Sequence, residues 1–389
     1  MRGTELSDLI GRGCRLALGD GAGMPVQVLP ELCRRARAAG DVRLLLGWCV
    51  GSLDGFDPTA FADVRTIMGG YGLRTFLDEG SVRYVPARMH TVLKLLRGAL
   101  RPDVLVASIA RGKLGWHFTT EVAWQRAAVD AGAIVAGIVR PERSTCDGGP
   151  PIPEERLRII GEDASAPLIV AWPEAGAVHR AIADRVTPLI HEGSRVQVGP
   201  GPQGSAILDA LHVPVRIDTG IITDAVPRLQ GRGLMIGDAI APYLVGSAAL
   251  YDWASGRKIV FGVEFTHDQA RLQTGAPFVS ILTALEVDLD GQINVEAVGG
   301  STVAGIGGQP DYAFAAASVL QGGLSILAVP TRNGRHSTLV DRLSAPVSTP
   351  AHDVDVLVTE NGVSDLRGLD RKERRRAIAA LWPADPASA

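Results

Sequence analysis

A glutamate set a short distance ahead of a glycine-rich turn is the part of this chain best equipped for chemistry. The stretch from Val279 to Tyr312 reads VSILTALEVDLDGQINVEAVGGSTVAGIGGQPDY, with Glu286 early in it and Gly305-Ile306-Gly307-Gly308 near its end. A carboxylate is costly to take out of water unless something pairs it or uses it. Glycines leave backbone N–H groups unobstructed to face a ligand oxygen, and they accept the positive φ angles that such a nest needs. Together the two parts suit acyl transfer through a carboxylate nucleophile beside an oxyanion hole. Each part alone has a plainer reading, Glu286 as a salt-bridged strand residue and the glycines as a tight turn; their combination points to catalysis.

The elements that must position these groups are strands and helices in alternation. Val279 to Leu289 is apolar apart from Ser280, Thr283, Glu286 and Asp288, which predicts one mostly buried strand, and Asp290-Gly291 predicts a turn into a second. Two further segments repeat a pattern of short apolar strand, Gly-rich loop and helix: LALGDGAGMP from Leu16, and VQVGPGPQGS from Val196. They suggest two similar halves. Neither has the GxGxxG ending with an acidic residue about twenty positions on, so a dinucleotide site is rejected. Val42–Val50, Asp103–Ser108, Ile134–Val139, Leu168–Trp172, Leu324–Val329 and Val354–Thr359 read as further strands with helical patterns between many of them, which makes the class α/β with largely parallel sheets. Pro141 to Pro153 reads as a loop and the terminal PADPASA as a frayed tail. The expected domains are 1–175 and 176–389.

Composition narrows the function. At 389 residues, 46% hydrophobic and 21% charged, the chain reads as a soluble globular protein of two domains. A net charge of −3 offers no basic face for nucleic acid. The N-terminus reads as no signal peptide and no run reads as a membrane span, so a cytoplasmic protein is expected. Cys14, Cys33, Cys49 and Cys146 have neither metal nor disulfide spacing, the eight histidines form no HExxH, and there is no GxSxG elbow.

The motifs resemble the acetyl-CoA hydrolase/transferase family, a branch of the class I CoA-transferases. The similarity runs from GDGAGMP through YVPARMHTVLKLL, HRAIADRVTPLIHEGSRVQVGPGPQGSAILDAL, ALEVDLDGQIN, GIGGQPDY and GGLSILAVP to STPAHDVDVLVTENGVSDLRG. It implies two CoA-transferase-like domains with the active site between them, an acyl-CoA and a small carboxylic acid as partners, coenzyme A as substrate with no permanently bound cofactor, no metal, and a homo-oligomer. By resemblance Glu286 is the nucleophile, Gly307 and Gly308 help form the oxyanion hole, Gly199, Gly201 and Thr219 lie near the acyl-CoA, and Asn361, Gly362 and Val363 are CoA contacts. An acyl-CoA hydrolase, in which water intercepts the intermediate, and a repurposed non-catalytic CoA-binding subunit are the alternatives.

The chain also departs from the family. Asp218-Thr219-Gly220 stands where the family has His-Thr-Glu, and Leu282 where it has Asn. These departures predict that Asp218, Gly220 and Leu282 line or back an altered acyl pocket that favours a larger or more apolar acyl group. Lys113, Trp116 and His117 suggest a further altered pocket. Glu264, Glu296 and Glu360 are alternative carboxylates, and His267 and His336 are alternative acid/base groups. Asp370-Arg-Lys-Glu-Arg-Arg-Arg reads as the solvated start of a helix.

Overall fold

The computed structural model describes residues 5–141 and 144–382; the PADPASA tail lies outside the described residues. Contacts divide the chain into two compact units. One takes Met1–Ala171, Ile240–Thr266 and Ser301–Gly307, the other Trp172–Ala239, His267–Gly300 and Gly308–Ala389. The chain enters the second unit at Trp172 and then returns twice to the first.

The first unit is built on a sheet whose parallel strands lie in the order Arg83–Tyr84, Asp63–Thr66, Arg43–Leu46, Arg15–Leu18, Val104–Arg111, Ile134–Val139, Leu157–Glu162, with Trp116–Phe118 antiparallel to the Val104 strand. Strands covered on both faces must be apolar throughout, and Val104 to Ala110 is buried without a break. The helix Leu29–Ala39 lays Leu29, Leu32, Cys33 and Ala36 against this sheet, one stripe at the helical period. The segment Leu168–Trp172, expected as a strand, is not one. Its N–H groups go singly to separate neighbours, Leu168 to the Ala22 carbonyl and Val170 to that of Gly246, and Leu168 and Ile169 are exposed. The sheet ends instead on Leu157–Glu162.

In the second unit the order is Arg216–Ile217, Arg195–Val198, Phe278–Leu282, Leu324–Ala328, Val356–Thr359, Gly362–Asp365, parallel except for the last hairpin. The predicted strand Val279–Leu289 is two. Phe278–Leu282 is buried on both faces in this sheet, whereas Glu286–Asp288 joins a three-stranded sheet with Ile293–Asn294 and Leu339–Val340. The break follows the sequence pattern: five successive buried residues, apolar except for Ser280, suit a central parallel strand, and exposed Thr283 ends that environment. The expected turn is present, with Gly291 at φ +85° and Asp288 Oδ1 accepting from the N–H groups of Asp290 and Gln292 at 3.0 and 2.9 Å.

Each sheet has a strand whose two neighbours arise from opposite directions of chain travel. In the first unit it is Arg15–Leu18, between Arg43–Leu46 and Val104–Arg111; in the second it is Arg195–Val198, between Arg216–Ile217 and Phe278–Leu282. Both of the Gly-rich loops noted in the sequence leave the C-terminal ends of these strands, the switch points where open α/β sheets form ligand crevices. Among the described residues no helix is long and apolar enough to cross a membrane, and no group of His, Cys, Asp and Glu is arranged to hold a metal.

Candidate active site

The switch point of the second unit opens a cavity of about 470 Å³. Its floor is the Gly199-Pro200 loop and the first turn of the helix that follows, its walls the end of the Phe278 strand from Ile281 to Ala284 with Val178, Ile207 and Pro330, and its polar rim His179, Gln203, Arg332 and Asn333. Gly201, at φ +100°, caps the helix Pro202–Ala210, and the proline at the first helical position gives up an N–H that would have no intrahelical partner. A side chain at Gly204 would collide with the Gly199 carbonyl, so the helix can press down on the loop only with glycine there. Leu282 lines the cavity as expected. Among the described residues lining it there is no carboxylate.

Glu286 stands two residues past that wall, at the start of its short strand and half-buried. Its Oε2 accepts from Asn294 Nδ2 at 2.8 Å and from the Ser344 N–H at 2.8 Å. Burial pushes its carboxyl up, but these donors outweigh it and hold the group below the usual glutamate value, so it is ionised. Gly308 caps the helix Gln309–Ser318, where the N–H groups of Gln309 and Asp311 have no intrahelical carbonyl, and Gln309 Nε2 donates to the Thr283 carbonyl at 3.1 Å. Any side chain at Gly308 would strike the His267 imidazole, which stacks on Tyr312 at 4.6 Å between ring centres. Gly307 belongs to the first unit; it sits at φ +61° and its carbonyl accepts from the Met89 N–H at 3.2 Å. Close packing thus accounts for part of this glycine run: a Cβ on Gly305 would fall 3.0 Å from the Gly69 backbone nitrogen.

Other sequence candidates land elsewhere. Thr219 is fully buried and bonded to Val198, so it holds the strand ahead of Gly199 and does not line the cavity. Asp218 is buried against Arg271, which donates to its two oxygens at 2.7 and 3.0 Å, and it too lies off the cavity; Gly220 faces Tyr312, a Cβ there sitting 3.6 Å from the ring. Of the three departures, Leu282 lines this cavity and Asp218 and Gly220 do not; a buried aspartate needs a cation, and Asp218 takes Arg271. Asn361, Gly362 and Val363 form the turn and edge of the last hairpin, away from the cavity lining, with Asn361 Nδ2 donating to the Leu381 carbonyl at 3.0 Å. Glu360 accepts from the Thr331 N–H, buried Glu296 accepts from Ser348 Oγ at 2.7 Å, and burial pushes Glu264 up. His336 and Lys113 are exposed, Arg111 stacks on Trp116, and buried His117 lies 3.5 Å from Asp147.

Two buried carboxylates fill the switch point of the first unit. Its Gly21–Gly23 loop is closed by Glu121, whose Oε2 accepts from the Gly23 N–H at 3.0 Å and whose Oε1 accepts from Thr119 Oγ1 at 3.0 Å; a side chain on Gly23 would collide with it. Asp20 is buried beside it, its Oδ2 accepting from the Trp48 N–H, Trp124 Nε1 and Tyr243 Oη, each at 2.8 Å. Burial pushes Asp20 up to about 6 and Glu121 up to about 7 against the opposing pull of these donors. The cavity bordering Gly23 holds only about 80 Å³. Asp20 within GDG was a visible signal; Glu121, about a hundred residues later, was not.

Comparison with known proteins agrees with this architecture. RipA from Yersinia pestis superposes with a TM-score of 0.87 at 22% identity, covering 99% of this chain and 94% of that one. A 4-hydroxybutyrate CoA-transferase from Porphyromonas gingivalis gives 0.77 at 24% identity, over 98% and 92%. Among curated proteins, the 4-hydroxybutyrate coenzyme A transferase of Clostridium kluyveri is 28% identical over 78% of this chain and 75% of its own length. The butyryl-CoA:acetate CoA-transferase of Anaerostipes caccae is 25% identical over 80% and 76%. Residues 246–388 match the acetyl-CoA hydrolase/transferase C-terminal domain. These matches make residues 246–388 similar to the acetyl-CoA hydrolase/transferase C-terminal domain and the chain similar to CoA-transferases.

Proposed function

We propose that the protein is an acyl-CoA enzyme that moves CoA from an acyl-CoA to a carboxylic acid, with coenzyme A as substrate and Glu286 as nucleophile. The observation that carries the acyl-CoA assignment is the open Gly199 loop at a sheet switch point, facing a mostly apolar cavity of about 470 Å³. The ionised Glu286 carboxylate attacks the thioester carbonyl and expels CoA thiolate, leaving an acyl-glutamyl anhydride. The thiolate attacks the glutamyl carbonyl and releases the first acid, which makes a glutamyl-CoA thioester. The incoming carboxylate attacks that thioester, and the freed thiolate then attacks the acyl carbonyl of the new anhydride, giving the new acyl-CoA and free Glu286. A carboxylate is a weak nucleophile, so each oxyanion donor, such as a first-turn N–H near Gly308, must contribute on the order of 3 kcal/mol, and binding of the remote CoA arm supports the rest.

A second reading, acyl-CoA binding without a covalent step, is favoured by the lack of any carboxylate among the described cavity-lining residues. One experiment separates the two. Protein incubated with butyryl-CoA is treated with borohydride or hydroxylamine, digested and weighed by mass spectrometry. Modification of the peptide carrying Glu286, lost in Glu286→Gln, supports the transferase; butyryl-CoA binding with no modified glutamate supports the binding protein.

A further inference from the structure

The most tightly held polar side chains behind the open loop never reach the cavity. The short strand Arg216–Ile217 pairs with Arg195 and Val196 and stops. Beyond it the Asp218 N–H donates to the Val196 carbonyl at 3.1 Å. At the next position a side chain takes over from the ladder: Thr219 Oγ1 donates to the Val198 carbonyl at 2.8 Å and accepts from the Val198 N–H at 3.3 Å. One hydroxyl therefore holds both backbone groups of the residue immediately before Gly199. Asp218 anchors that hydroxyl from behind through Arg271 and, at 3.6 Å, through Arg195, which itself donates to the carbonyls of Ala276 and Leu272.

We infer that Thr219 is a positioning residue for the open loop: its hydroxyl fixes where the Arg195 strand ends and hence how Gly199 to Gly204 present their backbone to the cavity. The Asp218–Arg271 pair holds Thr219 in place. Serine can replace threonine here, because it keeps the donor and acceptor. Valine, of nearly the same shape, cannot, since it leaves the N–H and carbonyl of Val198 without partners in a buried place. The inference rests on the proposed acyl-CoA reading only for the identity of the ligand.

The test compares full-length wild type, Thr219→Val, Thr219→Ser and Leu32→Ala, the last a buried core change in the first unit that lowers stability generally. Hydrogen exchange of the amides from Gly201 to Ala206 and the Kd and KM for butyryl-CoA are measured well below the Tm of each variant. Thr219→Val should raise loop exchange about tenfold and raise Kd and KM by a similar factor, with kcat changed much less. Thr219→Ser should stay near wild type, and Leu32→Ala should change neither loop exchange nor Kd. Wild-type loop exchange in Thr219→Val, failure of serine to rescue it, or the same loop effect from Leu32→Ala would overturn the inference. If the wild type binds no butyryl-CoA, the functional reading falls and loop exchange alone decides the role of Thr219.

Discussion

Replacing Glu121 by glutamine should make the protein more stable at high pH and leave it unchanged at low pH. The carboxyl of Glu121 is buried without a cation among its hydrogen-bonding partners, and burial raises it from 4.5 to about 7. A carboxyl with a raised folded-state value holds its proton more tightly when folded, so its favourable contribution is complete below the unfolded value and is lost as pH rises through about 7. The shift corresponds to about 3 kcal/mol between the two limits. Glutamine keeps an oxygen for the Gly23 N–H and presents an NH₂ to Thr119, whose hydroxyl can turn to accept. Urea unfolding at pH 5 and pH 8.5, read by exchange of the strand Arg15–Leu18 and by tryptophan fluorescence, gives the comparison. Because pH 5 already lies above the unfolded value, the wild type should lose about 2 to 3 kcal/mol more than Glu121→Gln between these conditions. Equal losses in the two proteins would refute the claim that Glu121 ionises unfavourably in the fold.

Three further outcomes follow from the second unit. Leu282→Asn, which puts an amide on the cavity wall, should shift kcat/KM from butyryl-CoA toward acetyl-CoA by about 1 to 3 kcal/mol, measured by parallel assays of the two donors. Gly308→Ala forces a methyl group onto His267 and should cost roughly 1 to 3 kcal/mol in urea unfolding while lowering turnover. Arg271→Met leaves buried Asp218 only the more distant Arg195 and should cost about 3 kcal/mol, part of which Asp218→Asn in the same chain should restore.

What the sequence conveyed depended on how local the cause was. Parallel strands such as Ile134–Val139 and Leu324–Ala328 were legible because burial on both faces requires unbroken apolar runs. The two strand–glycine–helix segments were legible because a tight exit from a strand needs glycine wherever it occurs. The split of Val279–Leu289 was missed because hydrophobicity alone does not show which sheet a strand joins, and Leu168–Trp172 was misread because a short apolar run can as well be an exposed connector. The partners of Asp218 and Thr219, Arg271 and the backbone of Val198, were not legible because they become neighbours only through sheet order. Glu121 left no local mark at all, since what makes it unusual is a loop a hundred residues earlier.

The return of the chain to the first unit ties the order of synthesis to the order of folding. Asp20 emerges early, yet one of its three donors is Tyr243, and the strand-like pairings Glu121 with Tyr243, Asp147 with Val260 and Ala123 with Gly262 all draw on Ile240–Thr266. A ribosome that has released the first 171 residues has therefore released a sheet with its strands in place and its polar centre incomplete. That sheet must wait through the following 68 residues of the second unit for its missing pieces. Fragments cut at the apparent boundary would inherit the same deficit, with a buried carboxylate short of a donor and three bridges unmade.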